Sequence, residues 1–562
     1  MFSHFSKNFD CTTSRVPIRF LLIIIFIVLG FHAINLTADI PNTFAPKDIG
    51  LRVDEGYKTL APRNLVLYVT EQWSDADQYE GWFKGSPLTQ NLLLLTFSIF
   101  GTGVLVARAT ALLYFFILVC VFLGSEKSKL NSTYLLIFFL ILAFEPFLFF
   151  FSRVALFEIA LSVFLTFSLV LVARVKPINH WSPFLVCSFC GIIAFFLIKQ
   201  SAILYFFRAC FVLILYGMKV GNKKFIVLPV VSVIAISFFV FATYGIWSER
   251  LRLPSFQVYF NRLLANPLVE FSPWLFGLGY FCLADTLRAR GRLLLSDPYW
   301  LSLCATIVGG PLILSLFSYG PPRYYVALVP AFLLTVSFWM HNDQNKDRQI
   351  ERSQSADLFS IPFDVVAIFV ICWSSANLLL PWLPVSQGQD PGLSAYTAIR
   401  YLFPVSILLS FLFYFLFLST HALWKVSMRP LIIFLMFMTI VTGLHQASEV
   451  WFNPSYTSSH LREKISKIIP KDAILMGDFA PFLTLGTEIR AIYSTKGRNE
   501  GSVVQEICPD YFLDSEKDHF TLNSYRPYAT FDNQLELGQY AGHSLVLYRI
   551  LYPQDICSRD VQ

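Results

Sequence analysis

The chain has 562 residues, of which 55% are hydrophobic, 17% are aromatic and only 14% are charged. A soluble globular protein carries about 25% charged residues, so most of this chain cannot face water. The formal net charge of +6 is dispersed along the sequence, which excludes the basic patch of a nucleic-acid-binding protein. Composition therefore predicts an all-α polytopic membrane protein and excludes soluble, disordered and disulfide-scaffold classes.

Apolar windows of about 20 residues mark the expected membrane spans. They predict about 13 transmembrane helices, near 18–37, 104–124, 132–150, 155–173, 182–198, 201–217, 225–246, 271–284, 298–317, 324–340, 361–382, 401–420 and 430–448. A shorter apolar stretch at 88–100 is expected to be a helix at the outer interface. The first segment could instead be a cleaved signal peptide, but its near-spanning length favours a retained helix.

Lysine and arginine set the expected orientation, because short inside loops carry most of them. With the N-terminus inside, the inside segments hold Lys7, Arg15, Arg19, Lys127, Lys129, Arg174, Lys176, Lys219, Lys223, Lys224, Arg288, Arg290, Arg292, Lys346, Arg348, Arg352, Lys425 and Arg429. This orientation predicts a transmembrane module at 1–450, with a first outside loop at 38–87, and an outside domain at 451–562.

The tail at 451–562 has the composition of a soluble domain and alternates helical and strand patterns. An amphipathic stretch, SSHLREKISKIIP, precedes four strand-like segments, AILMGD, RAIYS, CPDYFLD and HSLVLYRIL. We expect a small α/β domain with a mainly parallel sheet. A disulfide between Cys508 and Cys557 fits an outside, oxidising location.

Ionisable side chains at membrane depth are costly, so they are the first places to look for function. Arg153, Lys199 and Arg323 converge on the outside ends of predicted spans, opposite the acidic first loop. Snorkelling to the interface explains any one of them alone. Together they predict a site for an anionic headgroup at the outer leaflet.

The first outside loop holds the acidic pair Asp54 and Glu55 at the start of a helical pattern. Adjacent residues on a helix point about 100° apart, so at most one of the two can face a shared substrate. Read alone, Asp54 is best explained as a helix N-cap. Asp75 and Asp77 imitate a cation-binding DxD pattern, but a solvated loop explains them better, and no metal ligand is assigned.

Several segments taken in order resemble the GT-C glycosyltransferases, in the branch of the protein O-mannosyltransferases and the bacterial aminoarabinose transferases. The matching segments are VDEGYKTLAPRNL, FKGSPLTQNLLLLTFSIFGTGVLVAR, PFLFFFSRVALFEIALSVFLTFSL, AFFLIKQSAIL and PPRYYVALVPAFLL. The resemblance implies an inverting glycosyltransferase with a polyprenyl-phosphate sugar donor and a lipid, glycan or protein hydroxyl as acceptor. No cofactor is implied with certainty, and a divalent metal is not supported by the sequence.

The resemblance also implies roles for particular residues. Asp54 is the expected general base, with Glu55 beside it as a second catalytic candidate. The donor phosphate is expected to contact four residues, namely Lys199, Arg323, Tyr324 and Tyr325. Arg153 and Glu158 are expected to shape the cavity. Aminoarabinose transferases carry Phe-Glu-Lys-Pro where this chain has Phe83-Lys84-Gly85-Ser86-Pro87, so the sugar is left open.

Together these features predict a bacterial inner-membrane enzyme whose site and tail face the periplasm, among membrane lipids and without nucleic acid. Two other classes remain to be separated from it. A transporter or lipid flippase would use the same buried charges as a substrate path, although related halves are not evident. A non-catalytic scaffold would present the tail domain to partners in the envelope.

Overall fold

The computed structural model describes the chain in several segments, and the account below is restricted to them. They are residues 17–41, 50–70, 86–174 without 128, 272–290, 297–315, 322–344, 429–494, 506–515 and 525–553 without 541–542, with single positions between 190 and 268. The predicted spans at 361–382 and 401–420 lie outside these residues, as do most positions of those at 182–198, 201–217 and 225–246.

Helices dominate the first part of the described chain. They are α1 (Ile18–Ala33), α2 (Gly50–Tyr68), α3 (Pro87–Phe100), α4 (Val104–Glu126), α5 (Ser132–Phe144), α6 (Pro146–Phe151), α7 (Glu158–Arg174), α8 (Pro273–Arg290), α9 (Pro298–Leu314), a 3-10 helix (Pro322–Leu328), α10 (Val329–Gln344) and α11 (Arg429–Phe452). Helical segments long and apolar enough to cross a membrane are Val104–Glu126, Arg323–Gln344 and Arg429–Ile468. Large apolar side chains cover outer faces, such as Phe26 at 72% exposure, as expected against lipid.

The predicted span at 132–150 is wrong as a single helix, because the chain breaks at Glu145 between α5 and α6. Pro146 disfavours a helical conformation for the residue before it and lacks an N–H group. The Glu145 carboxylate then accepts a 2.7 Å hydrogen bond from the Leu148 N–H group and caps α6. The turn at 152–157 follows this break and leads into α7.

The predicted span at 324–340 begins earlier and differently. Residues Pro322–Leu328 form a 3-10 helix, and α10 continues from Val329. The Ser162 hydroxyl on α7 donates a 3.2 Å hydrogen bond to the Val326 carbonyl and fixes this turn against the bundle. Arg323 therefore lies just before the N-terminal end of α10, in contact with Asp54 of α2 and Glu158 of α7.

The tail contains α12 (Thr457–Ile468), β1 (Ile474–Met476), α13 (Ala480–Leu483), β2 (Arg490–Ile492), β3 (Tyr511–Ser515), β4 (Thr530–Tyr540) and β5 (His543–Leu551). The four predicted strands are β1, β2, β3 and β5. The expectation of a mainly parallel sheet is wrong, because the strand order β2-β1-β3-β5-β4 combines two parallel and two antiparallel pairs. The unpredicted β4 pairs with β5 at the sheet edge. Cys508 is disulfide-bonded, and Cys557 lies outside the described residues.

The tail packs directly on α2, the helix that carries Asp54. A Cβ atom added at Gly56 would lie 2.3 Å from the backbone nitrogen of Phe482 on α13, so only glycine permits this approach. The buried Arg63 guanidinium donates hydrogen bonds to the carbonyls of Thr487, at 3.1 Å, and Ile489. Burial lowers the pKa of Arg63 to about 10, which still leaves it charged at neutral pH. The tail therefore holds α2 in place through direct contacts.

Candidate functional site

The position at which α2 begins determines where its acidic pair, Asp54 and Glu55, lies in the helix. The helix begins at Gly50, so Asp54 lies in its second turn and the N-cap interpretation of this residue is wrong. Asp54 and Glu55 meet different partners, Arg323 and Arg108 respectively. The expected divergence of adjacent helical side chains is therefore confirmed, and of the two carboxylates Asp54 is the one that contacts Arg323, just before α10.

Asp54 forms an ion pair with Arg323, whose Nη1 contacts the Asp54 Oδ2 atom. The Asp54 side chain is 19% exposed and the Arg323 side chain is 7% exposed. The arginine is thus almost enclosed, whereas the aspartate side chain remains partly exposed. The aromatic ring of Tyr324 lies 5.8 Å from the Arg323 guanidinium and adds a cation–π contact.

Two further charges complete this cluster. Lys58 Nζ lies 3.0 Å from Glu158 Oε1, and Arg323 Nε lies 3.7 Å from the same oxygen. Lys58 follows Asp54 by one helical turn, so both side chains lie on one face of α2. We call Asp54, Lys58, Glu158 and Arg323 the charged quartet. Its two carboxylates and two cations balance, which lowers the cost of burying four charges close together.

Glu55 has a different environment from its neighbour. Its two carboxylate oxygens accept hydrogen bonds from Arg108 Nε at 2.8 Å and Nη2 at 2.9 Å. Glu55 Oε1 also accepts the Ala155 N–H group at 3.0 Å. Arg108 Nη1 donates to the carbonyls of Leu36, at 3.0 Å, and Ala38, at 2.6 Å. This closed network joins α2, α4, the turn at 152–157 and the end of the first span.

Arg153 and Glu158 flank the turn between α6 and α7. Arg153 donates to the carbonyls of His32 at 2.6 Å and Asn35 at 2.8 Å, at the C-terminal end of α1. The helix dipole stabilises a cation at the C-terminal end of a helix, so the Arg153 guanidinium holds the turn against α1. Glu158 faces the other way, into the charged quartet. The structure therefore brings Glu158 to Asp54 and Arg323 but places Arg153 in a separate contact.

The remaining predicted residues are placed as follows. Tyr324 lies at the quartet, whereas the Tyr325 side chain is 2% exposed and belongs to the apolar core. Lys199 lies outside the described residues, as do Asp75 and Asp77. The carbonyl of Ile198, the residue before Lys199, accepts a 2.7 Å hydrogen bond from the Ser86 hydroxyl at the start of α3. Within the described part of the chain, no group of three or more His, Cys, Asp or Glu residues could hold a metal ion.

Sequence reasoning missed Lys58 as a member of the site. Its spacing of four residues from Asp54 is the signal that could have found it, because this spacing stacks two side chains on one helical face. The partner of Lys58, Glu158, comes from a distant part of the chain, and no local sequence pattern predicts that contact.

Comparison with known proteins supports the fold. No family model matches the chain, and no curated protein matches it. The crystal structure of ArnT from Cupriavidus metallidurans in the apo state is 14% identical with a TM-score of 0.50, covering 94% of this chain and 96% of that chain. The crystal structure of ArnT from the same organism bound to undecaprenyl phosphate is 13% identical with a TM-score of 0.53, covering 94% of this chain and 97% of that chain.

The chain therefore has the fold of ArnT, and it contains helical segments long and apolar enough to cross a membrane. This confirms, at the level of the fold, the resemblance that the sequence segments predict. The likeness extends over 94% of this chain.

Proposed function

We propose that this protein is an inverting glycosyltransferase that moves a sugar from a polyprenyl-phosphate donor to a hydroxyl group of an envelope lipid, glycan or protein. One observation carries the proposal above all. A partly exposed carboxylate, Asp54, is paired with a nearly enclosed cation, Arg323, in a fold similar to that of ArnT bound to undecaprenyl phosphate. The pair supplies a proton acceptor and an anion-binding group side by side.

In the proposed reaction the acceptor hydroxyl attacks the anomeric carbon of the donor sugar. Asp54 accepts the hydroxyl proton as the new carbon–oxygen bond forms, which is general base catalysis. The bond between the anomeric carbon and the phosphate oxygen breaks, and the lipid phosphate leaves with the bonding electron pair. A single displacement of this kind inverts the anomeric centre.

Arg323 stabilises the leaving phosphate. Its guanidinium contacts Asp54 in the structure, so in our proposal the donor phosphate takes over the arginine and releases the carboxylate to act as base. Tyr324 supports the guanidinium through its ring. Lys199 stays in the proposal as a phosphate ligand on the strength of the family resemblance alone, whereas Tyr325, which is buried in the apolar core, does not. A positioned cation is worth more here than in water because the site is largely enclosed.

Glu55 has a positioning role in this proposal rather than the catalytic role expected from the sequence. Its carboxylate is 1% exposed and bound by Arg108, so it cannot take a proton from an acceptor without losing that pair. Arg153 fixes the turn that carries Glu158 and thereby shapes the cavity. We further propose that the site and the tail face the periplasm of a bacterial inner membrane, as the distribution of lysine and arginine indicates.

Mass spectrometry of envelope lipids and glycans tests the proposed function. Cells with the wild-type protein should contain a species heavier by one sugar residue, and cells with Asp54→Asn should lack it although the protein remains in the membrane. Asp472→Asn is the matched control, since Asp472 is an exposed tail residue, and it should retain the species. Full retention of the sugar in Asp54→Asn would overturn the mechanism.

The same comparison separates the other two classes. A transporter or flippase would change the distribution of a lipid between leaflets without adding mass to any acceptor. A scaffold would tolerate Asp54→Asn and would depend instead on the tail surface.

A further inference from the structure

Lys58 contacts two groups of the turn at the start of α7. Its ammonium donates a 2.6 Å hydrogen bond to the Leu156 carbonyl and a 3.0 Å hydrogen bond to Glu158 Oε1. The Lys58 side chain is 7% exposed and the Glu158 side chain is 1% exposed. An ion pair enclosed to this degree depends on both of its partners, because either charge alone would be costly to bury.

Between the two contacts lies Phe157, whose φ of 61° is in the left-handed region. A bulky aromatic residue adopts this conformation only when its surroundings impose it, and such strain gathers at functional sites. Lys58 holds the residues on both sides of Phe157. The Ala155 N–H group is held by Glu55, so two residues of α2, Glu55 and Lys58, both bind this turn.

Lys58 also makes the shorter of the two cation contacts with Glu158 in the quartet. Glu158 Oε1 accepts the 3.0 Å bond from Lys58 Nζ, and Arg323 Nε stands farther away, at 3.7 Å from the same oxygen. Arg323 directs its Nη1 to Asp54 instead. Glu158 thus makes its shorter contact with Lys58, and Arg323 contacts the partly exposed Asp54 through Nη1.

We propose that Lys58 is a further positioning residue of the site, which neutralises Glu158 and thereby keeps Arg323 available to Asp54 and to a lipid phosphate. This inference rests on the proposed function, because it takes the anion that Arg323 binds to be a polyprenyl phosphate. Without Lys58, Glu158 attracts Arg323 more strongly, and a phosphate must compete with a buried carboxylate for the same guanidinium.

A double-mutant cycle with undecaprenyl phosphate as the probe tests this inference. The full-length protein is purified in detergent as wild type, Lys58→Gln, Glu158→Gln and the double variant, and lipid affinity is measured by tryptophan fluorescence. Lys58→Gln should weaken binding by about tenfold, the effect of roughly 1.4 kcal/mol. Glu158→Gln alone should change affinity by less than about twofold, and the double variant should return to near wild-type affinity.

Additional variants separate positioning from simple charge and from misfolding. Lys58→Arg should bind within about threefold of wild type, since a second cation can hold Glu158, whereas Lys58→Met should resemble Lys58→Gln. Lys471→Gln removes an exposed lysine of the tail and should leave affinity unchanged. Thermal unfolding of each variant checks that the protein is folded at the temperature of the binding measurement.

The outcomes distinguish the two levels of the account. Restored binding in the double variant supports the role of Lys58. The effects could instead be additive, with Glu158→Gln strengthening binding equally in the presence and absence of Lys58. That result would show that Lys58 attracts phosphate only as a charge. It would overturn the inference and leave the proposed function standing. If the wild-type protein does not bind undecaprenyl phosphate above the detergent background, both the inference and the proposed donor are overturned.

Discussion

Asp54 and Glu55 are adjacent on α2, and each is paired with an arginine, yet their environments are opposite. Glu55 is 1% exposed and receives two parallel hydrogen bonds from Arg108. Asp54 is 19% exposed, and its arginine is shared with Glu158. A saturated, enclosed pair stabilises the fold, whereas an open, shared pair can exchange its partner for a substrate.

The next residue of the same helix extends the comparison. Gly56 faces neither arginine and lies against the backbone of Phe482 in the tail. Three successive residues of α2 thus face the candidate site, the helical bundle and the tail domain in turn. Changes at these positions should therefore separate effects on function from effects on bundle stability and on tail docking.

The largest effect is expected from removing the enclosed carboxylate. Glu55→Ala leaves the buried Arg108 without its charge partner and should destabilise the protein by about 3–5 kcal/mol. Asp54→Ala removes a partly exposed pair and should cost no more than about 1 kcal/mol. Thermal unfolding in detergent measures both, and equal losses of stability would remove the distinction between the two carboxylates.

A smaller difference is expected between the two arginines. Arg108 donates four hydrogen bonds through a planar fork, so Arg108→Lys should leave buried acceptors unsatisfied and cost about 1–3 kcal/mol. Arg323→Lys keeps a cation at the open pair and should leave stability close to wild type. The same unfolding measurement applies, and a greater loss for Arg323→Lys would contradict the assignment.

Gly56→Ala tests the face of α2 that meets the tail. The added methyl group meets backbone atoms of Phe482, which cannot move aside as a side chain can, so we expect a cost of about 1–3 kcal/mol. Limited proteolysis should cleave the tail faster in this variant. Gly124→Ala, at a helical glycine with open space around it, is the matched control. Unchanged proteolysis in Gly56→Ala would show that the tail does not depend on this contact.

Local pattern was sufficient to predict much of the fold. Apolar windows predicted α1, α4, α7 and α11 closely, and short alternating runs found four of the five strands of the tail. The missed strand, β4, is polar, and register irregularities occur between Asp532 and Leu535 and between Glu536 and Gly538. An edge strand with bulges shows no regular alternation, so its sequence gave no clear signal.

The site was predictable only in part, for a related reason. Asp54, Glu158 and Arg323 were found because charges near a membrane boundary are costly and because family segments match there. The placement of Glu55 against Arg108, and of Lys58 against Glu158, depends on contacts between distant parts of the chain. Which of two adjacent carboxylates is enclosed follows from the packing of whole helices and the tail, and this information is absent from any local window.

The most direct test of the central claim is the affinity of Asp54→Asn for undecaprenyl phosphate. If Asp54 and the lipid phosphate compete for Arg323, removing the carboxylate charge should strengthen binding by about twofold to fivefold, equivalent to roughly 0.4–1 kcal/mol. Asp472→Asn should bind as the wild type does. Unchanged or weaker binding in Asp54→Asn would contradict the claim that a donor phosphate displaces Asp54 from the arginine.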